Sequence, residues 1–380
     1  MKEKICVVLT GGTICSIPDA KKKNRSDAEK INTYLTEYYL NGSDSPFREN
    51  VEFAVKALHP DILSENMTAS VWGELLKIFR EEIVCEDHKG IIVLHGTDTL
   101  AYTSAFLSFA LAGIKIPVCM VSAQLRLGEI NESNEWEREE KTNGYANFRA
   151  AVELIMNGIE PNVYAVYRNE KNEFNGEHEA GEFLVHYGCH LLQCPNASNN
   201  FHSRDEMLIP DTTNAKLAGK AFESEENLYL RLNEIKGGVL MIRPHTDLDY
   251  SHFDLDGVKT VIHGTYHSES VCIGRPKDRY KKEEKYYSLE EIMDKDKPYS
   301  ILYLLKKCEE RKIPVFLAPC NRETAAYGTT ENAVEMGALC VADITLEAAY
   351  AKAVLGIALG KTDSEMNDFL NNGIDHEFDF

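Results

Sequence analysis

Apolar residues fall into two periods along this chain. Short stretches rich in apolar residues stand at 5–9, 51–56, 91–94, 116–121, 162–167, 239–242, 260–263 and 315–318. Runs of that length between polar stretches predict buried strands. Between them, apolar positions recur at helical spacing. Val71, Leu75, Leu76 and Ile78 mark one helix, and Leu100, Ala101, Phe106, Leu107 and Leu111 a second. Further helices are predicted at 146–156, 298–311, 331–337 and 345–359. Strands alternating with helices predict an α/β fold built on a doubly wound, mostly parallel sheet. At 380 residues the chain has room for two domains. The polar stretch after 195 sets the expected division: a larger N-terminal α/β domain over 1–205, a linker over 206–235, and a smaller C-terminal α/β domain over 236–380.

Several polar segments join these elements. Residues 17–31 are expected to form a loop, either a lid or a plain solvated connection. Residues 128–141 read as an exposed charged insertion, and 169–182 as a hairpin or long turn. The acidic tail after Gly360 is expected to fray.

The knot His95-Gly96-Thr97-Asp98-Thr99 sits between a buried strand and a helix start. In an open α/β sheet, ligands bind outside the carboxyl ends of the strands. These hydroxyls and the carboxylate either cap the helix or touch a ligand, and the stretch alone leaves both open. A similar turn follows the first strand, where Gly11-Gly12 precede Thr13. A glycine pair lets the backbone approach a neighbour closely. Its spacing lacks the third glycine of a dinucleotide fingerprint, which argues against a nucleotide site. After the second strand comes Ser64-Glu65-Asn66-Met67-Thr68, with Thr68 as a predicted N-cap.

Charge narrows the function classes. There are 41 basic and 61 acidic residues, a net charge of −20, which argues against a nucleic-acid surface. The run Ile5–Leu9 is too short for a signal segment or a membrane span. With ten scattered cysteines and no signal, reduced thiols and a cytoplasmic location are expected.

The motifs Thr10-Gly11-Gly12-Thr13-Ile14, Ser64–Thr68 and His95–Thr99 together resemble the bacterial-type L-asparaginase/glutaminase family. The resemblance continues through Ser122-Ala123-Gln124, Thr142-Asn143-Gly144 and Asp343–Ala349, and so spans nearly the whole chain. It implies two α/β domains in a homodimer or homotetramer, with active sites where protomers meet. It implies hydrolysis of the side-chain amide of asparagine, in some members glutamine, without metal or organic cofactor, and no nucleic-acid or membrane partner. By resemblance, Thr13 is the nucleophile and Thr97 the second catalytic threonine. Asp98, Ser64 and Glu65 then hold the substrate's α-amino and α-carboxylate groups. Gly12, Gly96 and Ala123 present backbone to the reacting amide. Such chemistry needs a positioned hydroxyl, a proton acceptor and donors aimed at an oxyanion.

Two features of the family pattern do not map simply. The family's relay lysine falls at Leu192 or Gln193. Gln193 can hydrogen-bond but cannot take a proton, so His190 and His186 are nearer candidates for a replacement, with Lys171 and Lys141 more remote. A relay that is simply broken would leave a protein that binds a small amino acid without turnover. The family's loop tyrosine falls near Arg25 and Ser26, and Tyr34 is the nearest tyrosine. Finally, His186, Cys189, His190 and Cys194 have donor types that suit a metal, but buried core thiols with partnered histidines are the expected reading.

Overall fold

The computed structural model describes residues 2–18, 24–85, 88–133, 135–169, 183–195, 198–204, 206–209, 228–232, 234–274, 297–320 and 327–378. The chain divides into two compact units, one of residues 1–235 with 374–380 and one of residues 236–373.

The first unit opens with β1 (Glu3–Gly11), a hairpin of β2 (Ser16–Pro18) and β3 (Asn24–Ser26), and α1 (Ala28–Asn41). It continues through β4 (Val51–Ile62), α2 (Ala69–Cys85), β5 (Gly90–Leu94), α3 (Leu100–Ala110) and β6 (Val118–Val121). A second hairpin, β7 (Gly128–Ile130) with β8 (Trp136–Arg138), precedes α4 (Gly144–Met156) and β9 (Val163–Tyr167). Last come β10 (Phe183–Tyr187), β11 (Leu191–Leu192), β12 (His202–Ser203), β13 (Glu206–Ile209) and α5 (Leu228–Arg231).

Seven strands form one sheet in the order β13-β10-β9-β6-β5-β1-β4. The five from β9 to β4 run parallel, and β10 and β13 run antiparallel to their neighbours. β5, β6 and β9 are buried throughout and β1 from Ile5 onward, which is why they read as continuous apolar runs rather than alternating ones. The chain moves from β1 to β4 on one side and to β5 on the other. That reversal opens a crevice at the carboxyl ends of β1 and β5. Helix packing seals the sheet: Trp72 of α2 stacks on Phe106 of α3 at 4.5 Å, and its indole N–H donates to Thr103 Oγ1 at 3.1 Å. Burying Phe106 alone contributes about 2–3 kcal/mol.

The second unit has β14 (Val239–Ile242), β15 (Thr260–Gly264), α6 (Ile301–Glu310), β16 (Val315–Ala318), α7 (Gly328–Glu335), β17 (Leu339–Cys340), α8 (Leu346–Ala358) and α9 (Asp363–Asn371). Its four strands are parallel and lie in sequence order. Tyr250, Val261, Leu302, Leu305 and Leu317 belong to its core.

Several segments differ from the sequence-based expectation. α1 occupies 28–41, part of which reads as loop. Its buried side is one narrow stripe, Ala28, Ile31, Leu35 and Tyr39, among polar residues. β4 runs on to Ile62 because an edge strand with a wet face needs no continuous apolar run. The insertion at 128–141 contains the β7–β8 hairpin. The proposed linker begins with β13, which pairs with β10 and so belongs to the large sheet. The hairpin expected at 169–182 and residues 19–23 of the loop lie outside the described residues, except for residue 169.

The C-terminal end also differs. Rather than fraying, 363–371 forms α9, where the Glu365 carboxylate accepts from the Thr362 N–H at 2.8 Å and its hydroxyl at 2.7 Å. Residues 374–377 then return to the first unit. The Asn162 side-chain amide donates to Asp375 Oδ1 at 3.1 Å, His190 Nε2 donates to the His376 carbonyl at 2.5 Å, and Glu377 is buried. Deleting 374–380 strips two buried bonds from the first unit. Its urea unfolding should shift to lower concentration, with a loss of about 2 kcal/mol or more. An unchanged midpoint would show that the returning segment is dispensable.

Candidate active site

Three backbone turns meet at the crevice. A Cβ built on Gly12 would lie 2.2 Å from Gly96 Cα, and one on Gly96 would lie 2.3 Å from Ser64 Oγ. The turns after β1 and β5 therefore touch through backbone, the turn after β4 meets them through the Ser64 side chain, and neither Gly12 nor Gly96 has room for a side chain. Gly12 also has φ +80, a region side chains avoid. Thr13 and Thr97 each follow one of these glycines.

The Thr13 turn is held from several sides. The Gly12 N–H donates to the Ile62 carbonyl at 3.0 Å, and Ser16 Oγ donates to the Gly12 carbonyl at 2.8 Å. The Cys15 carbonyl accepts from the Asp27 N–H at 2.9 Å. Thr13 itself is half-buried.

The Thr97 turn docks on Ser64. The Ser64 hydroxyl accepts the Asp98 N–H at 3.3 Å and donates to Asp98 Oδ2 at 3.4 Å. Thr99 Oγ1 donates to the Ser64 carbonyl at 2.8 Å. Neither Thr97 nor Thr99 caps α3 through its side chain, so the capping explanation of the knot fails. Among the described residues, none accepts a hydrogen bond from the hydroxyl of Thr13 or Thr97. Asp98 and Glu65 are exposed, so two carboxylates stand at the mouth. Ala123 is buried on the turn after β6, where Gln124 N–H donates to Asn143 Oδ1 at 3.0 Å and the Asn147 amide to the Ser122 carbonyl at 2.9 Å.

Gln193 meets the Thr97 turn at its backbone. Its Nε2 donates to the Thr97 carbonyl at 2.9 Å, and its Oε1 accepts the Ala101 N–H at 3.3 Å. One amide thus bridges the start of α3: it takes the Ala101 N–H that the helix cannot pair itself and adds a second donor to the Thr97 carbonyl. The other relay candidates stand elsewhere. His190 is buried against the His376 carbonyl and the Tyr187 ring. His186 bonds Ser203 Oγ through Nδ1 at 2.9 Å, and burial lowers its pKa to about 3. Lys141 is exposed, and Lys171 lies outside the described residues. Tyr34 stacks on Trp136 of β8 with centroids 4.1 Å apart, which ties α1 to the hairpin. Of the four residues weighed as metal ligands, the His186, His190 and Cys194 side chains have other partners, with Cys194 Sγ donating to the Ser198 carbonyl at 2.8 Å, and burial pushes the Cys189 thiol well up. Among the described residues, no group of three or more His, Cys, Asp or Glu is placed to hold a metal.

His95, named in the knot without a role of its own, is also part of the site. Its Nδ1 donates to the Gly96 carbonyl at 2.7 Å, which orients the peptide ahead of Thr97. Burial lowers its pKa to about 4, so the ring is neutral. The tripeptide His-Gly-Thr recurs at 263–265, with the same Nδ1 bond to the Gly264 carbonyl at 2.5 Å. There, however, Thr265 Oγ1 donates to the Pro319 carbonyl at 2.7 Å. The repeated tripeptide was visible in the sequence and was the missing signal.

Comparison with known proteins bears on the family and the fold. Residues 4–190 match the family described as Asparaginase, N-terminal. A glutamyl-tRNA(Gln) amidotransferase subunit from Methanobrevibacter smithii is 36% identical over 129 residues, 32% of this chain and 26% of the relative. L-asparaginase 1 of Escherichia coli is 27% identical over 134 residues, 35% of this chain and 38% of the relative. These matches thus span about a quarter to two fifths of the relatives' lengths. In fold, the thermostable L-asparaginase from Thermococcus kodakarensis is similar over 99% of both chains, with a TM-score of 0.68 and 18% identity. L-asparaginase I from Vibrio cholerae is similar over 100% of both, with a TM-score of 0.67 and 18% identity. Residues 4–190 thus carry an asparaginase-family N-terminal domain. Among the described residues, no helix is long and apolar enough to cross a membrane.

The buried histidines set a pH dependence. His95, His186 and His263 have native pKa values lowered by burial to about 4, 3 and 4 from 6.5. A lowered histidine pKa means the unfolded chain binds the proton first. The stability is present above pH 6.5 and is lost as pH falls toward 4. Each should cost about 2 kcal/mol between pH 7 and pH 5. Urea midpoints across that range test this, and His95→Gln should flatten the slope.

Proposed function

We propose that this protein is an amidohydrolase of small zwitterionic amides, with L-asparagine as substrate and L-glutamine as the next to test. The observation that carries the reading is the pair of half-buried threonines on touching turns, neither hydroxyl engaged by a described residue, beside Asp98. In this mechanism Thr13 Oγ attacks the side-chain carbonyl carbon. Its proton passes to the departing nitrogen, which leaves as ammonia, and an acyl ester remains on Thr13. Water then adds to the ester carbon and releases the acid and the threonine hydroxyl. Backbone N–H groups beside Gly12, Gly96 and Ala123 are the donors for the oxyanion. Asp98 and Glu65 hold the α-ammonium, Ser64 holds the α-carboxylate, and Thr97 orients the proton transfer. No metal or organic cofactor enters these steps. Gln193 fixes the Thr97 backbone rather than carrying a proton, and His190 is not part of the site.

A second reading rests on the 36% identity to the glutamyl-tRNA(Gln) amidotransferase relative. That name supports an activity in which ammonia released from an amide is passed to an acceptor on a larger partner. The net charge of −20 weighs against direct contact with nucleic acid. We further propose a cytoplasmic homodimer or homotetramer, which sedimentation would test, with neither nucleic-acid nor membrane partners. The remaining alternative is a protein that binds a small amino acid without turnover.

Ammonia release from asparagine and glutamine separates a hydrolytic activity from binding without turnover. Thr13→Val and Thr97→Val should each lower kcat by about 1000-fold or more without loss of fold. No release from either substrate, with calorimetric binding of aspartate, would instead support the binding protein. Gln193→Ala should lower kcat about 10-fold by loosening the Thr97 turn, with little change in KM. An unchanged kcat would remove Gln193 from the site.

A further inference from the structure

The end of β4 carries a group that the chemistry above does not use. Asp61 precedes Ile62, whose carbonyl holds the Gly12 N–H at 3.0 Å. A Cβ on Gly11 would lie 1.9 Å from that same carbonyl oxygen, so this strand end is pressed against the start of the Thr13 turn. The Asp61 carboxylate holds the other arm. Its Oδ2 accepts from Ser26 Oγ at 2.5 Å and from the Ala28 N–H at 3.3 Å. Ser26 pairs with Ser16 across the β2–β3 hairpin, and the adjacent Asp27 N–H bonds the Cys15 carbonyl at 2.9 Å. Both Asp61 and Ser26 are half-buried.

Asp61 also supplies what α1 lacks. The residue at its N-cap, Asp27, makes no side-chain cap bond. The carboxylate from β4 accepts the first helical N–H instead and puts negative charge at the positive end of the helix. Two adjacent residues of β4 therefore grip the nucleophile turn from both arms. Ile62 holds the outgoing arm by its backbone, and Asp61 holds the returning arm by its side chain. A hydroxyl donating to a charged carboxylate is a strong, directional bond, and it has a single acceptor here.

We propose that Asp61 is a positioning residue for the Thr13 turn: through Ser26 and the N-terminus of α1 it fixes where the Thr13 hydroxyl stands. This rests on the amidohydrolase reading for its kinetic part. The substrate's charged groups are assigned to Ser64, Glu65 and Asp98, on other turns. Loss of the Asp61 grip should therefore reach kcat and spare KM.

The test compares Asp61→Ala, Asp61→Asn and Ser26→Ala in the full chain. Asp61→Ala is expected to lower kcat about 100-fold, with KM within about threefold. Asp61→Asn keeps an acceptor and should recover about tenfold of that loss. The double variant Ser26→Ala with Asp61→Ala should be no worse than Asp61→Ala alone. Hydrogen exchange should quicken at 13–18 and 24–28 in Asp61→Ala, and not across the sheet. A kcat within about twofold of the original overturns the proposal. So does faster exchange confined to α1, which would make Asp61 only a helix cap. A loss of kcat with exchange raised throughout the unit also overturns it, as general destabilisation. If the unmodified protein turns over no amide, the amidohydrolase reading fails, and exchange at 13–18 still judges the grip.

Discussion

The backbone contact between Gly12 and Gly96 is the constraint on which the site depends. Two parallel strands, β1 and β5, deliver their turns to one point, and the absence of a side chain on each lets the chains meet. Ser64 closes the third side from the turn after β4. The Gly12–Gly96 contact itself is between backbones, and side chains such as Ser64 brace it from outside. The positions of Thr13 and Thr97 follow from sheet register and backbone contact, which are the stiffest features a protein has. A site intended to hold two hydroxyls in fixed relation is best built this way.

Much of the fold was legible because the strands are buried on both faces. β5, β6 and β9 announce themselves as unbroken apolar runs, and the site motifs sit at their ends. What escaped reading was marginal in local signal. α1 buries a stripe only one residue wide per turn, and β13 pairs at a sheet edge inside a polar stretch. Contacts distant in sequence were the least legible. Gln193 meets Thr97 across 96 residues, and His190 meets His376 across 186. A sequence pattern can nominate Gln193 and His190 for the same position, but only the fold shows that one lies on the Thr97 backbone and the other under the C-terminal segment.

The two His-Gly-Thr turns show how far a motif can carry an argument. Both end a buried parallel strand, both bind the glycine carbonyl through the histidine, and both rings are neutral. At 263–265 the surroundings complete the unit: Tyr250 OH donates to His263 Nε2 at 2.9 Å and Pro319 accepts from Thr265. At 95–97 the threonine hydroxyl has no such acceptor among the described residues. The tripeptide is thus a way of ending a strand with a fixed turn, and reactivity comes from what the neighbours leave unsatisfied.

The return of 374–377 to the first unit bears on how the molecule is made. Synthesis runs from the N-terminus, and domains generally fold as units while the chain emerges. Here the first unit cannot close around Asn162 and His190 until all of 236–373 has been made. Its last packing step waits for residues 374–377, whatever the second unit has done by then. The order of assembly is therefore a loop rather than a line, and the earliest part of the chain is among the last to be finished.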